Sequence, residues 1–221
     1  MPISKIETKT LRQKVYDQIR DSIMSAEMEP GETFSLRTLA DKLGVSIMPV
    51  REALWQFETE KVFIIESNKK MSINTLSMDE IDEIFDLRLY HESILVTESC
   101  LNWNKKTLDK LESALKKMQG SNENTKAFLR YNKDFHYAMY NNANRHITLD
   151  IVNNLWLRLA PYFGIHSPGA KIFTDFTVHV NMFEAYRDKD TDTLVENFQS
   201  DLNETREYIL SSLSASKENP A

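Results

Sequence analysis

The sequence predicts a mainly helical protein of two parts: an N-terminal unit of three short helices with a small β-hairpin, followed by an all-helical bundle. Three observations support this. Glycine and proline together supply only 11 of the 221 residues, against a usual share of about 12%, so tight turns are scarce. Apolar residues recur at helical spacing along most of the chain. Only residues 62–73 carry the short apolar runs and central turn that are typical of a hairpin.

The first 75 residues predict three helices and the hairpin. The helices span residues 10–26, 36–43 and 46–58. Gly44 directly follows the second helix, as expected for a glycine that ends a helix in the left-handed conformation. Pro49 lies in the first turn of the third helix, where its missing N–H costs no hydrogen bond. The apolar runs at 62–65 and 71–73 predict two strands joined by a turn at 67–70.

A second part begins at Ser77, where the sequence Ser-Met-Asp-Glu predicts a capping box. From there the chain shows only helical periodicity. It predicts helices at residues 77–101, 105–119, 124–141, 145–163, 170–187 and 190–213. The chain from Ser214 onward is expected to fray. The predicted domains are therefore residues 1–75 and residues 76–221.

The composition excludes several classes of protein. A single cysteine, Cys100, rules out an internal disulfide framework and fits a cytoplasmic protein. No stretch of eighteen apolar residues occurs, so we expect no membrane partner, and we expect no signal peptide. The net charge is −6, yet the first 76 residues hold eleven basic and eleven acidic side chains. The N-terminal part can therefore meet a phosphate backbone if its basic residues share one face.

Two short helices joined at a glycine and followed by a β-ribbon are typical of a winged helix-turn-helix, whose second helix enters the major groove of DNA. Here that helix begins at Ser46 and carries Arg51, while Arg37 opens the preceding helix. Lys69 and Lys70 lie at the tip of the predicted wing, where they would meet the DNA backbone or the minor groove. A single such arginine is more often an ordinary surface residue. An arginine on each helix together with a basic wing favours DNA binding.

The same region resembles a known family. The stretch from Leu36 to Leu54, LRTLADKLGVSIMPVREAL, is similar to the DNA-binding signature of the GntR family of bacterial transcription regulators. This resemblance implies recognition of double-stranded operator DNA. The family usually has Arg-Thr between the serine and the proline of this motif, whereas this chain has Ile47 and Met48. We expect these two side chains to touch the methyl group of a thymine. Lys70 replaces the glycine that the wing of the family usually carries.

Three helices of the second domain carry polar side chains on otherwise apolar stripes. Asn132 and His136 lie one turn apart on the predicted helix 124–141, and His179 and Asp201 lie on the stripes of the last two helices. A buried polar group needs a hydrogen-bond partner, and a buried charge needs a counter-charge or a metal. Because four such residues point into one bundle, the sequence predicts one polar centre.

A helical bundle after such a module resembles the FCD domain of the FadR-like branch of the family. The segment Asp86–Glu92 is similar to its opening signature, and Phe135-His136 is similar to a later one. In that domain an aspartate and three histidines often hold a metal. The resemblance places Asn132 at the aspartate position, and it places three residues at the histidine positions: His136, His179 and Asp201. Imidazole and carboxylate ligands suit Zn, Ni, Mn or Fe, and a metal-free, hydrogen-bonded pocket is the alternative.

The helix that opens the bundle contributes candidate effector contacts. Arg88 and His91 lie on its apolar stripe and are expected to face the pocket. Arg88 would clamp the carboxylate of a small organic acid effector, and an ion pair with Glu92, four residues on, is its alternative role. His136 and His179 would be further effector contacts. The spacing of Trp156 predicts a packing residue.

Taken together, these patterns predict a ligand-responsive bacterial transcription regulator that binds a pseudo-palindromic operator as a homodimer. A small carboxylate metabolite, and with it a divalent metal, would bind in the C-terminal bundle. Two alternatives stay open, a metal-dependent helical-bundle enzyme and a regulator that senses the metal itself. No nucleophile or general base with an activating partner stands out, so we expect no enzymatic activity.

Overall fold

The computed structural model describes residues 9–65, 70–121, 124–164 and 174–218. Within them the chain is mainly helical and holds one small sheet, which confirms the predicted fold class. The helices are α1 (Leu11–Met24), α2 (Leu36–Leu43), α3 (Ile47–Thr59), α4 (Met78–Leu101), α5 (Lys105–Gln119), α6 (Thr125–Tyr140), α7 (His146–Leu159), α8 (Thr177–Asp188) and α9 (Thr191–Glu218). The strands are β1 (Thr33–Ser35), β2 (Phe63–Ile65) and β3 (Lys70–Ile73).

The N-terminal domain packs α1, α2 and α3 with an antiparallel sheet of order β1-β3-β2. Strand β1 is missing from the sequence prediction because three residues are too few for a period-two pattern. Its pairing with β3 sets Ser35 opposite Lys70. Lys70 therefore lies in a strand and not in the predicted turn, and Lys69 lies outside the described residues. In the core, Phe57 stacks on Tyr16 with 4.4 Å between ring centroids.

The turn between α2 and α3 has the geometry that its sequence predicts. The Ser35 side chain caps α2 by accepting a hydrogen bond from the Thr38 N–H. Gly44 has a φ of 65°, in the left-handed region where a residue with a Cβ would be strained. Ser46 holds the N-cap position of α3, but its side chain makes no capping hydrogen bond. The helix therefore does not use this exposed hydroxyl.

The C-terminal domain is a helical bundle in which α4 packs against α6, α7 and α9, and α8 packs against α5 and α9. Three helices differ from the prediction. The predicted helix 145–163 is α7 followed by a 3-10 segment, Ala160–Gly164, because Pro161 cannot continue the α-helical hydrogen bonding. The last helix runs past its predicted end at residue 213: α9 continues to Glu218, and the Ser214 hydroxyl donates to the Leu210 carbonyl. Part of the predicted helix 170–187 lies outside the described residues, and α8 begins at Thr177.

The two halves meet where α7 and the 3-10 segment pack against α1. The predicted boundary at residues 75 and 76 falls between the end of β3 and the start of α4. Beside it, the Tyr162 hydroxyl accepts a hydrogen bond from the Leu76 N–H. None of the described helices is both long and apolar enough to cross a membrane.

Candidate functional site

Three helices bring a polar centre together inside the bundle. His136 comes from α6, His179 from α8 and Asp201 from α9, and their candidate ligand atoms all lie within 4.8 Å of one another. The Asp201 carboxylate lies 3.4 Å from Nε2 of His136 and 3.6 Å from Nε2 of His179. Asn132, one turn before His136, places its Oδ1 atom 2.7 Å from Nε2 of His179. The four residues that the sequence predicts to share one centre therefore lie side by side.

The proton arrangement of His136 follows from its neighbour Tyr140. The Tyr140 hydroxyl donates its single proton to the Glu92 carboxylate, and burial raises the pKa of Tyr140 well above its ordinary value, so this proton stays in place. The Tyr140 oxygen must then accept from Nδ1 of His136, 3.3 Å away. In the neutral ring, Nε2 therefore carries the lone pair and faces Asp201. A proton or a metal ion between these two electron-rich atoms would remove their repulsion.

The charge states at the centre favour a metal site. Burial lowers the pKa of His179 to about 4, so this ring is neutral near pH 7. Burial opposes ionisation of Asp201, but the polar and charged groups around it, Arg88 among them, outweigh burial and hold the pKa of Asp201 below its ordinary value. Imidazole and carboxylate groups are the ligands that zinc and similar ions take.

The distances test whether these residues fit an ion. Ligand atoms about 2.1 Å from one metal lie roughly 3.0–3.5 Å apart. The separations of 3.4 Å and 3.6 Å from Asp201 to the two rings are close to that range. Nε2, the nitrogen of His179 that faces Asp201, lies 2.7 Å from the Asn132 oxygen, whereas Nδ1 of the same ring is buried without a hydrogen-bond partner among the described residues. The set formed by His136, His179 and Asp201, with Asn132 beside it, therefore fits a divalent ion.

Arg88 lies next to the centre and is fully buried, as is Glu92. Its Nε atom lies 2.6 Å from the Glu92 carboxylate, so it adopts the alternative role that the spacing predicts. Trp156 also donates to Glu92, at 3.0 Å, and its ring lies under the Arg88 guanidinium at 4.6 Å. Nη1 of Arg88 has no hydrogen-bond partner among the described residues. Arg88 thus combines a buried ion pair with one donor left over beside the cavity.

The cavity around the polar centre is nearly filled. Its free volume is about 40 Å³, enough for a metal ion or a few water molecules. Aromatic side chains form much of its wall: Phe128, Trp156, Phe163 and Tyr208. An organic ligand would have to displace some of these rings in order to enter.

The structure corrects the expectation that His91 faces this cavity. His91 is half-buried and is not among the cavity-lining residues, and its ring contacts Tyr90 edge-on at 5.2 Å. On α4 the fully buried face passes through Arg88, Glu92 and Leu95. His91 lies beside that face because each residue turns the helix by about 100°. Glu92, which takes part in the site, is the residue that the sequence offered only as a pairing partner.

The candidate DNA-binding residues lie on the surface of the N-terminal domain. Five of them are exposed and Arg51 is half-buried; the exposed ones are Arg37, Ser46, Ile47, Met48 and Lys70. Among the described residues, no carboxylate forms an ion pair with Arg37 or Arg51. Met48 is 53% exposed at the start of α3, next to the exposed Ile47. Within the described part of the chain, Arg37 and Arg51 are thus left without ionic partners.

The chain matches two protein families. Residues 83–203 match the FCD domain, and residues 11–72 match the family described as bacterial regulatory proteins, gntR family. The HTH-type transcriptional regulator McbR of Escherichia coli K12 is 26% identical over 164 residues, 73% of each chain. The HTH-type transcriptional regulator YdhC of Bacillus subtilis 168 is 28% identical over 213 residues, 92% of this chain and 93% of that one.

The fold also matches a solved structure. The structure of E. coli McbR/YncC superposes with a TM-score of 0.88 and 20% identity, covering 93% of this chain and all of that chain. A putative GntR regulator from Rhodococcus superposes with a TM-score of 0.74 and 18% identity, covering 90% of this chain and 97% of that one. At these identities, the two superpositions establish the fold.

We expect the stability of the fold to depend on Arg88 and Glu92 being present together. Arg88→Met and Glu92→Gln should each lower the free energy of unfolding by about 3–5 kcal/mol, because each leaves one buried charge without its partner. The double variant should cost clearly less than the sum. Urea denaturation of the metal-free protein followed by circular dichroism measures this.

The exposed pair Lys116–Glu112 is a matched control, with the same i,i+4 spacing and the same 2.6 Å distance. Lys116→Met and Glu112→Gln should each change the free energy of unfolding by less than about 1 kcal/mol, since water solvates both charges. Additive losses in the Arg88 and Glu92 variants would show that the two charges do not depend on each other.

Proposed function

The chain belongs to the GntR family of bacterial regulatory proteins and carries an FCD domain, and on this premise we propose that it acts in the cytoplasm as a dimer, binding operator DNA under the control of a ligand. The relatives it matches are transcriptional regulators and not enzymes, so the enzyme alternative falls away. The observation that supports ligand control is the polar centre of His136, His179 and Asp201. It is buried in the half of the molecule that does not carry the helix-turn-helix.

For DNA binding, the proposal assigns α3 to the major groove and α2 to the flanking backbone. Arg51 would contact a guanine edge or a phosphate, and Arg37 a phosphate. Ile47 and Met48 at the exposed start of α3 would pack against thymine methyl groups. The Ser46 hydroxyl and Lys70 would add backbone contacts, as would Lys69 beyond the described residues.

Arg51→Ala should weaken operator binding by about 1–3 kcal/mol, or roughly 5- to 150-fold, because it removes a charged contact to DNA. The probe is a duplex selected from a random pool by the wild type, titrated by fluorescence anisotropy at one salt concentration. Arg130→Ala, which removes an exposed arginine from α6, should leave the affinity unchanged. Wild-type affinity in Arg51→Ala would remove α3 from the proposed interface.

The proposed dimer would use the exposed side of α4. Leu87, Tyr90, Ile94 and Leu101 follow one another at helical spacing on this side, and Tyr90 is 67% exposed. A stripe of this kind suits packing against the same stripe of a second copy across a two-fold axis. Two-fold symmetry is also what a palindromic operator requires.

The dimer should dissociate when charge is placed on the stripe. Light scattering of the wild type at micromolar concentration should give twice the chain mass of 25.7 kDa. Tyr90→Asp should give the monomer mass, because two like charges would face each other across the axis. Lys110→Asp on the exposed face of α5 is the control and should remain dimeric. A monomeric wild type, free and on DNA, would refute the dimer.

As ligand, we propose a divalent ion held by His136, His179 and Asp201, with the Asn132 oxygen as a fourth donor. Bound there, Zn, Ni, Mn or Fe would supply positive charge beside a carboxylate that has no full counter-charge of its own. A small organic acid is the further ligand that we propose, with the free Nη1 donor of Arg88 and the rings of His136 and His179 as its contacts. The free volume of about 40 Å³ favours a second candidate function, in which the ion itself is the signal.

The metal assignment predicts a graded set of variants. His136→Ala and His179→Ala should each weaken metal binding by more than about 100-fold, since even an outer partner of a metal ligand is worth 10- to 100-fold. Both should abolish the rise in melting temperature that metal gives the wild type. Asn132→Asp should bind more tightly because it adds an anionic donor.

Elemental analysis and thermal melts after incubation with Zn, Ni and Mn measure these effects. His146→Ala, an exposed histidine at the start of α7, should behave as wild type. A wild type that takes up none of the three metals would leave a hydrogen-bonded pocket as the function of this centre.

Signal transfer to DNA would pass through α7. The Asn153 side-chain oxygen accepts from Tyr137 at 2.8 Å and from Arg20 of α1 at 3.2 Å. The next residue, Asn154, donates to the backbone carbonyl of Glu60 at the end of α3, at 3.1 Å. The ring of Tyr137 in turn packs on Trp156, at 5.6 Å. We propose that a ligand which moves Trp156 shifts these contacts and so repositions α3.

Asn153→Ala should uncouple the two halves. Metal uptake, and operator affinity in the metal-free state, should stay near wild type. The ratio of operator affinities with and without bound Zn²⁺ should fall towards one, from the 5- to 150-fold typical of allosteric coupling, or about 1–3 kcal/mol. Asn197→Ala on α9, whose side chain also makes two hydrogen bonds but within the bundle, is the control. An undiminished ratio in Asn153→Ala would rule out this route.

A further inference from the structure

Trp55 is a large aromatic side chain on the surface of the N-terminal domain. Of the three tryptophans in the chain, Trp156 is buried and Trp103 is half-buried, whereas Trp55 is 55% exposed. Tryptophan is highly buried on average in folded proteins. Among the described residues, the indole N–H of Trp55 donates no hydrogen bond and its ring stacks on no other ring. The described part of the chain therefore leaves both the ring and its donor free for a partner.

Helix geometry places Trp55 on the side of α3 that carries the proposed DNA contacts. Four buried side chains define the inner face of this helix: Val50, Ala53, Leu54 and Phe57. Trp55 is rotated by about 150° around the helix axis from the centre of that face. It is rotated by only about 20° from Met48 and by about 40° from Arg51. The three side chains therefore form one stripe on the outer side of α3.

The distance along the helix decides which part of the DNA Trp55 would meet. Met48 and Trp55 are seven residues apart, which separates them by about 10 Å along the helix axis. The major groove is about 12 Å wide, and the two phosphate backbones form its walls. When Met48 lies at the base edges, as proposed above, Trp55 lies at the level where the helix leaves the groove. The group opposite its ring is then a sugar with its phosphate and not a base edge.

The indole group suits such a partner chemically. Its N–H is a donor only, which matches the acceptor oxygens of a phosphate, and its faces are apolar, which matches the carbon surface of a deoxyribose. Contacts to sugar and phosphate position a protein on the duplex without reading its sequence. Because Trp55 is neutral, a contact through it adds nothing to the salt dependence of binding.

We propose that Trp55 anchors α3 to the DNA backbone at the edge of the major groove. Its indole N–H donates to a phosphate oxygen, and its ring covers the adjoining deoxyribose. The proposal rests on the placement of α3 given above and adds a residue outside the set that the sequence predicts. The anchor fixes how deeply α3 enters the groove, and it thereby holds Ile47 and Met48 at the base edges.

Loss of the donor tests the hydrogen bond. Trp55→Phe keeps an aromatic ring but removes the N–H, so it should weaken binding about 10-fold, the usual value of one hydrogen bond to a charged group. The loss should be equal for a duplex selected by the wild type and for a duplex of scrambled sequence, because a phosphate contact is independent of sequence. Fluorescence anisotropy at one salt concentration measures both affinities. Trp103→Phe, the same change at a half-buried tryptophan of the C-terminal domain, should leave both unchanged.

A variant that gains charge separates a phosphate contact from a packing role. In Trp55→Arg the guanidinium can reach the same phosphate, so the affinity at low salt should be at least that of the wild type. The plot of log affinity against log salt concentration should steepen by about 0.9, the contribution of one neutralised phosphate. Ser113→Arg adds the same charge on the exposed face of α5 and should leave the slope unchanged. Arginine would not restore affinity if Trp55 only packed against the protein.

Either wild-type affinity in Trp55→Phe or an unchanged slope in Trp55→Arg would overturn the anchor, while a weakened Arg51→Ala in the same assay would keep α3 in the interface. A loss confined to the selected duplex would also overturn it, because the ring would then read bases. Light scattering should give both Trp55 variants the same mass as the wild type. A lower mass would show that Trp55 covers a protein contact instead. A wild type that binds neither duplex would overturn both the anchor and the proposed function.

Discussion

The Glu92 carboxylate is buried at the centre of the bundle without exposure to water, and its neighbours are arranged as that charge requires. An uncompensated carboxylate there would be too unstable to keep. Arg88 supplies the counter-charge, while Tyr140 and Trp156 donate to the remaining lone pairs. Each donor is held in one orientation as a result. Tyr140 then orients His136, and Trp156 forms part of the cavity wall. The geometry of the polar centre therefore depends on the hydrogen bonds that the buried Glu92 carboxylate requires.

Helix α7 joins this centre to the N-terminal domain. Trp156 contacts Arg88 on the inner side of α7, and Asn153 and Asn154 reach Arg20 and the end of α3. The three α7 residues lie within one turn of a hydrogen-bonded helix, which moves as a unit and does not bend locally. A displacement at the tryptophan is therefore also a displacement at the asparagines. Side-chain packing and two amide contacts thus link the chemistry of the bundle to the position of α3.

Helical periodicity predicted those parts of the site that depend on one helix at a time. It placed Asn132 and His136 on one stripe and turned His179 and Asp201 inward, and the structure brings these four together. It also marked Gly44 as the end of α2. Patterns of this kind depend on residue spacing alone, so they can be recognised in the sequence without knowledge of the tertiary fold.

The rest depends on contacts between elements that are distant in sequence. Tyr140 and Trp156 have the spacing of ordinary core residues, and only the packing of α4 against α6 and α7 makes them donors to Glu92. The prediction that His91 faces the cavity is wrong because His91 is rotated by about 60° around the helix axis from Arg88. That rotation moves a side chain from the buried face of the helix to its edge. The link through Asn153 had no local signal, since an asparagine on an amphipathic helix has the pattern of a solvated residue.

The exposed apolar start of α3 has a consequence for how the protein is distributed over a chromosome. An arginine at that position would release counterions from any stretch of DNA and strengthen binding everywhere. In the proposed interface, Ile47 and Met48 would offer no such general attraction, and they would gain contact area only where a thymine methyl group meets them. Because bulk DNA competes in vast excess for every regulator, a tip of this kind reduces the fraction of molecules held on irrelevant sequence. More regulator molecules would then be free to search for the operator, although each would bind the operator itself less tightly.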